Sequence, residues 1–371
     1  MNGTTQSIAS SSDETGENIV GGERINRENN FAVLHFLGAC MVIYGHQWAL
    51  LGGAAPGILG NSVSTLGVKM IFVITGFLIT QSFMRSGRLG EFLKRRLIRI
   101  FPALIFCILT TVLVLSLVST LSFSVYFRWC VNYVWHNILL YPWYALPGVF
   151  ETSPYPNAVN GSLWTMPVEV AMYFVIGMLL WLKAKCKKEP LSRYLYTAMA
   201  VLVVVAEAVK DVTGVSSSFC LWGTDWAVAM DLIPYMFIGS LFEAADLKKY
   251  CNLQAAAVML IIGCCISFRF MELLTFIILP YFTMSLALCD KPFFSHWFEK
   301  NNIAYGMYLW GFPIQQLLIY CVQVRGGHYL SANMFFALSL LPIMGMALLS
   351  HRLVEKPVEG WLKKHLLKKP A

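Results

Sequence analysis

Long uninterrupted apolar stretches recur along almost the whole chain. The first, Phe31–Leu51, has no formally charged residue and is long enough to cross a bilayer, since about 20 apolar residues at about 1.5 Å each span the hydrocarbon. The runs are continuous rather than alternating, which excludes a membrane β-barrel. The pattern predicts an all-α polytopic membrane protein of about ten transmembrane helices. The other nine predicted spans are Leu66–Met84, Ile100–Val118, Ser162–Leu182, Tyr194–Val209, Trp226–Leu241, Leu253–Phe268, Leu273–Leu288, Ile303–Val324 and Ala332–Leu353.

The basic residues between the runs predict the topology. They form three clusters: Arg85, Arg88, Lys94, Arg95, Arg96 and Arg99; Lys183, Lys185, Lys187, Lys188 and Arg193; Lys356, Lys363, Lys364, Lys368 and Lys369. The positive-inside rule assigns all three clusters to the cytoplasm, which ten spans with both termini cytoplasmic satisfy. A further crossing at Val131–Leu146 would put the second cluster outside. Residues 119–161 are therefore expected to form an external or re-entrant segment.

Composition completes the expected division of the chain. Residues 1–29 are polar and predict a disordered tail, 30–355 a membrane domain, and 356–371 a basic cytoplasmic tail. Only 13% of the residues are charged and 57% are hydrophobic. The net charge of +8 is attributed to basic loops on one membrane face, which favours membrane lipids over nucleic acid as partners. The ten cysteines include no CxxC pair, so neither a metal site nor a disulfide scaffold is expected.

Two histidines lie inside the first span. His35 and His46 are eleven positions apart, which places them within about a quarter turn of each other and about 16 Å apart along a helix. Titratable rings are costly in lipid and are expected to face a bundle interior or a polar cavity. One interpretation assigns His35 to the cytoplasmic end of a catalytic channel and His46 to its outer end. The alternative is that both rings hydrogen-bond to neighbouring helices.

Arg96 and Arg99 are spaced i, i+3 and project together from a helix. Paired guanidiniums at a membrane surface suit a phosphate-bearing ligand, because each offers a fixed fork of donors. Taken alone, the pair is better explained as topogenic charge in contact with anionic lipid.

Glu169 lies two turns into the span Ser162–Leu182, and a carboxylate there requires a partner or a function. Counted from the outer end of each span, Glu169 lies about 10 Å deep and His46 at a similar depth. The two are therefore predicted to form a base–orienter pair, with a structural ion pair as the alternative. Asn160 and Ser162 are expected to cap this helix.

The remaining charged residues inside or near the spans, and one run of aromatic residues, are expected to have structural roles. Lys69 lies inside an apolar run and requires a partner, for which an acidic group is expected. Glu207 and Asp231 lie near span ends, where snorkelling or pairing is expected. Tyr305 and Tyr308 begin a stripe that usually packs between helices or forms an aromatic belt.

Seven stretches follow one another as RENNFAVLHFLGACMVIYGH, GVKMIFVITGFLIT, FLKRRLIRIFPAL, LPGVF, NGSLWTMPVEVAMY, AYGMYLWGFPIQQ and HRLVEKP. Each is weak alone, but their order and spacing are highly specific. Together, from Arg27 to Pro357, they resemble the membrane acyltransferase-3 family, bacterial O-acyltransferases that modify cell-envelope glycans. The resemblance implies ten spans, an acyl-CoA donor bound inside and an acceptor glycan presented outside. It also implies functional roles for His46, for Arg96 and Arg99, and for Glu169.

The chain departs from the family pattern at two positions. The family usually has an arginine or lysine where this chain has His35, and often an aspartate where it has Lys69. Neither departure removes the expected pair of His46 and Glu169, but together they alter the charges expected around the donor.

The function expected from this resemblance is an O-acetyltransferase of the bacterial inner membrane. It moves acetyl from cytoplasmic acetyl-CoA to a sugar hydroxyl of an O-antigen, capsule, exopolysaccharide or lipo-oligosaccharide. Arg96 and Arg99, with the adjoining Arg95, are expected to hold the CoA phosphates. No metal is expected.

The remaining expected roles concern the acceptor. His46 acts as general base on the sugar hydroxyl or as a transient acetyl carrier, and Glu169 fixes its tautomer. Trp164 and aromatic residues of 126–161 stack on the sugar. A competing interpretation is a transporter or flippase whose proton or substrate path includes His35, His46, Glu169 and Lys69. A third is a membrane scaffold without catalytic activity.

Overall fold

The computed structural model describes residues 29–185, 197–198, 201–206, 208–210, 212, 219–266, 271–289 and 295–365. Most of these residues are helical. The α-helices are α1 (Phe31–Leu50), α2 (Val63–Ser86), α3 (Leu89–Leu115), α4 (Phe123–Ile138), α5 (Thr165–Lys185), α6 (Trp226–Ala229), α7 (Ile233–Ala244), α8 (Leu253–Cys265), α9 (Met271–Ala287), α10 (Ser295–Lys300), α11 (Ala304–Ile319), α12 (Ala332–Ser350) and α13 (Lys356–His365).

Short elements connect these helices. Two antiparallel hairpins pair β1 (Gly57–Ile58) with β2 (Asn61–Ser62) and β3 (Cys220–Leu221) with β4 (Thr224–Asp225). Turns of 3₁₀-helix form at Gly161–Trp164 and Leu247–Tyr250. α11 and α12 each continue into a π-helix, at Tyr320–Arg325 and His351–Glu355.

Six helical stretches within the described ranges are long and apolar enough to cross a membrane. They are Phe31–Leu50, Val63–Ser86, Leu89–Leu115, Gly161–Lys185, Trp226–Ala244 and Ala332–Trp361; shorter apolar helices are Leu253–Cys265 and Leu273–Ala287. These helices make the chain a multi-pass membrane protein. The count of ten spans and the cytoplasmic position of both termini stay predictions. Three parts of the predicted chain lie outside the described residues: residues 1–28 of the tail predicted at 1–29, much of the span at 194–209 with Glu207, and residues 366–371.

α2 is the central helix, and its ends follow from its sequence. The side chain of Ser62 accepts a hydrogen bond from the Thr65 backbone N–H, which caps the first turn. The helix ends at Gly87, whose positive φ of 62° lets its N–H bond to the Phe83 carbonyl. Between these ends α2 packs against α1, α5, α7 and α9.

Small residues bring α2 and α7 into backbone contact. A Cβ atom built on Gly239 would lie 1.9 Å from the Val73 carbonyl oxygen, and one on Gly76 would lie 2.0 Å from the Met236 carbonyl oxygen. This close approach is typical of membrane helix pairs, which associate through small residues. A hydrogen bond between the hydroxyls of Thr80 and Ser240 joins the same two helices.

Gly239→Leu is expected to remove most of the folded protein. The added side chain overlaps the α2 backbone, which must move away for the helix pair to form. Yield after detergent extraction and the thermal unfolding midpoint measure the effect. Gly345→Ala is the matched control, since a Cβ there meets no atom within 4 Å. Equal stability of the two variants would contradict the close packing.

The segment at residues 119–161 contains one helix followed by an irregular stretch. α4 packs on α3, where the Tyr126 hydroxyl donates to the Val112 carbonyl at 2.8 Å. The Asn160 side chain accepts from the Ser162 N–H at 3.1 Å, which confirms its expected capping role. Its amide also donates to the Leu309 carbonyl of α11 at 3.0 Å, so the start of the next span is fixed inside the protein. The external or re-entrant position of this segment stays a prediction.

Candidate active site

A cavity of about 70 Å³ lies between α1, α2, α3, α5 and α11. Its walls are mostly apolar and come from these five helices. The titratable side chains that line it are His35, Arg96, Arg99, Glu169, Tyr173, Tyr305 and Tyr308. The structure therefore brings together four of the residues that the sequence singled out, from three different helices.

The two arginines occupy neighbouring positions on α3, as the i, i+3 spacing requires. Arg96 donates to the Leu78 carbonyl at 3.3 Å, and its guanidinium lies 5.8 Å from the ring centre of Phe92. Its Nε is buried and has no hydrogen-bond partner among the described residues. Arg99 is exposed. We call this side of the bundle the Arg96 end.

Glu169 faces the two arginines from α5. The Tyr173 hydroxyl, one helical turn further on, donates to the Glu169 carboxylate. The positive charges of Arg96 and Arg99 reach this carboxylate, although neither forms a direct ion pair with it within 4 Å. The cavity wall therefore holds one carboxylate between a phenol and two guanidiniums.

His35 completes the same wall from α1. Its Nδ1 lies 3.0 Å from the Phe31 carbonyl oxygen, and a carbonyl can only accept, so Nδ1 carries the hydrogen. In the neutral ring Nε2 is then an acceptor. The charge of Arg99 acts on this ring. His35 is thus grouped with the arginines, and its position at the cytoplasmic end of a channel stays a prediction.

Arg95 lies outside this group. Its guanidinium pairs with the Glu91 carboxylate one turn earlier on α3, and it does not line the cavity. Consecutive residues on a helix point about 100° apart, so Arg95 cannot share the face of Arg96. The structure separates it from the predicted donor-binding residues.

His46 occupies the opposite side of the bundle, which we call the His46 end. Its ring packs edge-on against Phe312 of α11, with 5.4 Å between ring centres. Its Nδ1 is buried and accepts or donates no hydrogen bond within the part of the chain that the structure describes. His46 does not line the cavity that contains Glu169.

The structure does not bring His46 and Glu169 together, contrary to the expected base–orienter contact. The Gly161–Trp164 turn and the first residues of α5 lie along α11: Phe312 lies against Gly161, and the Tyr305 hydroxyl lies 3.7 Å from the Met166 sulfur. His46 is thus level with Gly161, whereas Glu169 lies eight residues, or about 12 Å, closer to the Arg96 end. The depth count took Ser162 as the outer end of the span, whereas Asn160 and Ser162 are buried and Asn160 bonds to α11.

Trp164 is half-buried and packs against the main hydrophobic core. It does not line the cavity. The proposed contact between Trp164 and the acceptor sugar therefore stays a prediction.

Three tyrosines line the cavity although none of them was assigned to the site from the sequence. Tyr173 carries a detectable signal, because it follows Glu169 by four positions and so shares its helix face. Tyr305 and Tyr308 were interpreted as packing residues. The Tyr305 hydroxyl donates to the Ile100 carbonyl at 3.1 Å, and the Tyr308 hydroxyl lies 2.6 Å from the Thr165 hydroxyl. Both phenols also line the cavity.

A second acidic group lies near the Arg96 end. Glu355, in the π-helix after α12, accepts from the Ser350 hydroxyl at 3.1 Å and lies 3.4 Å from His351 Nδ1. The charge of Arg99 acts on this carboxylate. π-helical turns are frequent at functional sites, but no sequence pattern predicts this one.

Lys69 has the acidic partner that the sequence required. Its ammonium lies 2.7 Å from the Asp231 carboxylate and 2.6 Å from the Asn61 side-chain oxygen. The ring centre of Tyr235 lies 5.0 Å away. The pair joins α2 to the turn before α7, so the expected pairing of Asp231 is confirmed and Lys69 has a structural environment.

Asp231→Asn is expected to lower the free energy of unfolding by about 3 kcal/mol, because it leaves the buried Lys69 ammonium without its counter-charge. Thermal or denaturant unfolding in detergent measures the loss. Asp246→Asn is the control, since its contact with Lys249 is exposed and contributes little. The double variant Lys69→Met/Asp231→Asn should be less destabilised than Asp231→Asn alone. Additive losses would show that the two groups do not interact.

Among the described residues, no group of three or more His, Cys, Asp and Glu side chains is placed to hold a metal ion.

Comparison with known proteins identifies the class of protein to which this chain belongs. The acyltransferase-3 family model, described as an acyltransferase domain, matches residues 29–351. This chain therefore belongs to the acyltransferase-3 family, which confirms the resemblance and the enzyme class drawn from the seven stretches. No solved structure matches the chain.

Three relatives illustrate the range of the family. The O-acetyl transferase of Shigella phage Sf6 is 26% identical over 353 residues, which cover 90% of this chain and 96% of the phage protein. Nodulation protein 10 of Rhizobium leguminosarum bv. viciae is 32% identical over 175 residues, 43% of this chain and 46% of that protein. Peptidoglycan O-acetyltransferase OatA of Listeria monocytogenes is 24% identical over 338 residues. The match covers 79% of this chain but only 51% of OatA.

Proposed function

We propose that this chain is an integral membrane O-acetyltransferase that moves acetyl from cytoplasmic acetyl-CoA to a sugar hydroxyl of a cell-surface polysaccharide or lipo-oligosaccharide. Its family and the O-acetyl transferase of similar length in phage Sf6 support this reaction. The proposal includes ten spans, both termini in the cytoplasm and a location in the bacterial inner membrane.

The observation that carries the proposal is the separation of two sets of polar groups along one bundle. Arg96 and Arg99 face a cavity at one end, and Arg99 is exposed there. His46 lies at the other end, about 16 Å along α1 from His35. An acyl-CoA has the matching shape, with phosphates at one end of a long arm and the thioester at the other.

In the proposed mechanism, the arginines bind the CoA phosphates through charge-assisted hydrogen bonds. Glu169, which accepts a hydrogen bond from Tyr173, supplies a negative charge on the same cavity wall as the guanidiniums. His46 removes the proton from the sugar hydroxyl, whose oxygen forms a bond to the acetyl carbonyl carbon. The carbon–sulfur bond breaks, and the thiolate of CoA leaves and takes the proton from the imidazolium. A transient acetyl-imidazole is the alternative route through the same histidine.

The test compares the surface glycans of a deletion strain with those of strains restored by wild type or by His46→Ala. Proton NMR before and after mild base measures ester-linked acetyl. Loss on deletion, recovery with wild type and no recovery with the variant are expected. Transport of a glycan or anion without consumption of acetyl-CoA, and with unchanged acetyl content, would overturn the proposal in favour of a transporter.

A further inference from the structure

The irregular stretch at residues 139–160 presents two half-exposed tyrosines near the His46 end. Tyr155 is 45% exposed, and its ring centre lies 6.2 Å from that of Phe312, which in turn contacts His46. The ring of Phe312 therefore lies between Tyr155 and His46. Tyr144 is 36% exposed, and its backbone carbonyl accepts from the Val159 N–H at 2.8 Å.

This stretch is held rigidly although it has no regular secondary structure. The buried side chain of Gln316 donates to the carbonyls of both Tyr155 and Ala158 at 2.8 Å. Prolines on both sides of Tyr155 restrict its backbone, and Asn157 turns the chain with a φ of 59°. A backbone that is anchored before binding loses little entropy when a ligand packs on its side chains.

The second hairpin extends the same surface. The Trp222 side chain donates to the Leu139 carbonyl at 3.0 Å, and its ring lies 6.0 Å from that of Tyr141. Burial raises the pKa of Tyr144 to about 12, with smaller contributions from Tyr155 and Cys220 of the hairpin. The Tyr144 hydroxyl thus stays protonated and available as a hydrogen-bond donor at neutral pH.

We infer that Tyr155 and Tyr144 form the acceptor subsite, in which one pyranose ring of the glycan packs against Tyr155 with a hydroxyl directed toward His46. This inference rests on the proposed function. The C–H face of a sugar ring carries partial positive charge and suits the negative face of an aromatic ring. Residues 139–160 contain a single formal charge, at Glu151, which favours an uncharged sugar ring. Phenol hydroxyls supply polar contacts beside the rings.

The test uses the purified full-length protein, acetyl-CoA and the host's own surface polysaccharide after removal of its esters by mild base. Tyr155→Ala is expected to raise the KM for polysaccharide about ten-fold and to leave the KM for acetyl-CoA near wild type. Tyr155→Phe keeps the ring and should restore most of the loss. Tyr329→Ala, which removes a tyrosine that is 81% exposed at the same end, is the matched control. An unchanged KM for polysaccharide in Tyr155→Ala would overturn the subsite.

Saturation-transfer NMR with the same polysaccharide separates this inference from the proposed function. Binding that is lost in Tyr155→Ala but retained in Tyr155→Phe supports the subsite even where wild type transfers no acetyl, and such a result refutes the transferase alone. Transfer by wild type with equal binding by all variants refutes the subsite alone. A tyrosine that contacts only lipid would change membrane extraction of the variant and leave its glycan binding unaltered.

Discussion

Replacing Arg96 or Arg99 with alanine is expected to raise the KM for acetyl-CoA by about 10- to 150-fold. Each guanidinium offers charge-assisted hydrogen bonds to phosphate, and such bonds contribute about 1.5–3 kcal/mol each. Both residues line the cavity from one face of α3. Steady-state kinetics in detergent or proteoliposomes, with acetyl-CoA varied at saturating glycan, measure the change.

Arg95→Ala supplies the matched control for this experiment. It removes the same charge from the same helix, but its guanidinium pairs with Glu91 outside the cavity. Its KM for acetyl-CoA should remain within about two-fold of wild type, since Arg95 does not line the cavity. Arg96→Lys should fall between wild type and alanine, because an ammonium keeps the charge and loses the fork of donors. Equal effects of all three alanine variants would show that the arginines set only membrane topology.

The grouping of residues at the Arg96 end was largely predictable. The i, i+3 spacing of Arg96 and Arg99 determines that they share a helix face whatever surrounds them. The cost of a titratable group in lipid predicts that His35 and Glu169 face the interior. These local rules explain why the four residues meet in one cavity. The phenols of Tyr305 and Tyr308 were missed because aromatic residues in a membrane span usually serve packing.

The need of Lys69 for an acidic partner was predictable for the same reason, since an unpaired ammonium in an apolar interior is costly. The identity of the partner was not predictable. Asp231 is 162 positions further along the chain, and it reaches Lys69 because glycines let α7 approach α2 closely. Long-range contacts of this kind depend on helix packing, which a single sequence does not specify.

The expected contact between His46 and Glu169 depended on where the helix of Glu169 begins relative to α1, which the sequence does not specify. Its basis was a depth count that started each span at the membrane surface. The Asn160 side chain instead anchors the start of the Gly161–Trp164 turn to α11, so the helix begins inside the protein. Because His46 is level with Gly161, Glu169 lies eight residues, or about two helical turns, away from His46 along the bundle.

The proposed mechanism divides the reaction between the two ends of the bundle. Tyr308 lies between them, with its hydroxyl 3.2 Å from the Ser162 carbonyl and its ring at the wall of the cavity. Phosphate binding and proton transfer are assigned to groups that do not touch each other. Variants at the two ends should consequently alter different kinetic parameters.

His46→Ala is expected to reduce the rate of acetyl transfer by about 10²–10⁴-fold, the usual contribution of a positioned general base. The KM for acetyl-CoA should stay near wild type, because the two arginines of α3 line the cavity beside His35, about 16 Å along α1 from His46. Single-turnover transfer of labelled acetyl from acetyl-CoA to the deacetylated glycan measures the rate. His46→Gln tests whether a hydrogen-bonding group without basicity suffices.

His328→Ala is the control for this variant, since it removes an exposed histidine from the loop that follows the π-helix Tyr320–Arg325. It should transfer acetyl at the wild-type rate. A His46→Ala enzyme that retains full transfer, while His35→Ala loses it, would relocate the chemistry to the Arg96 cavity. That result would bring the reacting groups beside Glu169 and Tyr173 and would require the glycan to enter the bundle to reach them.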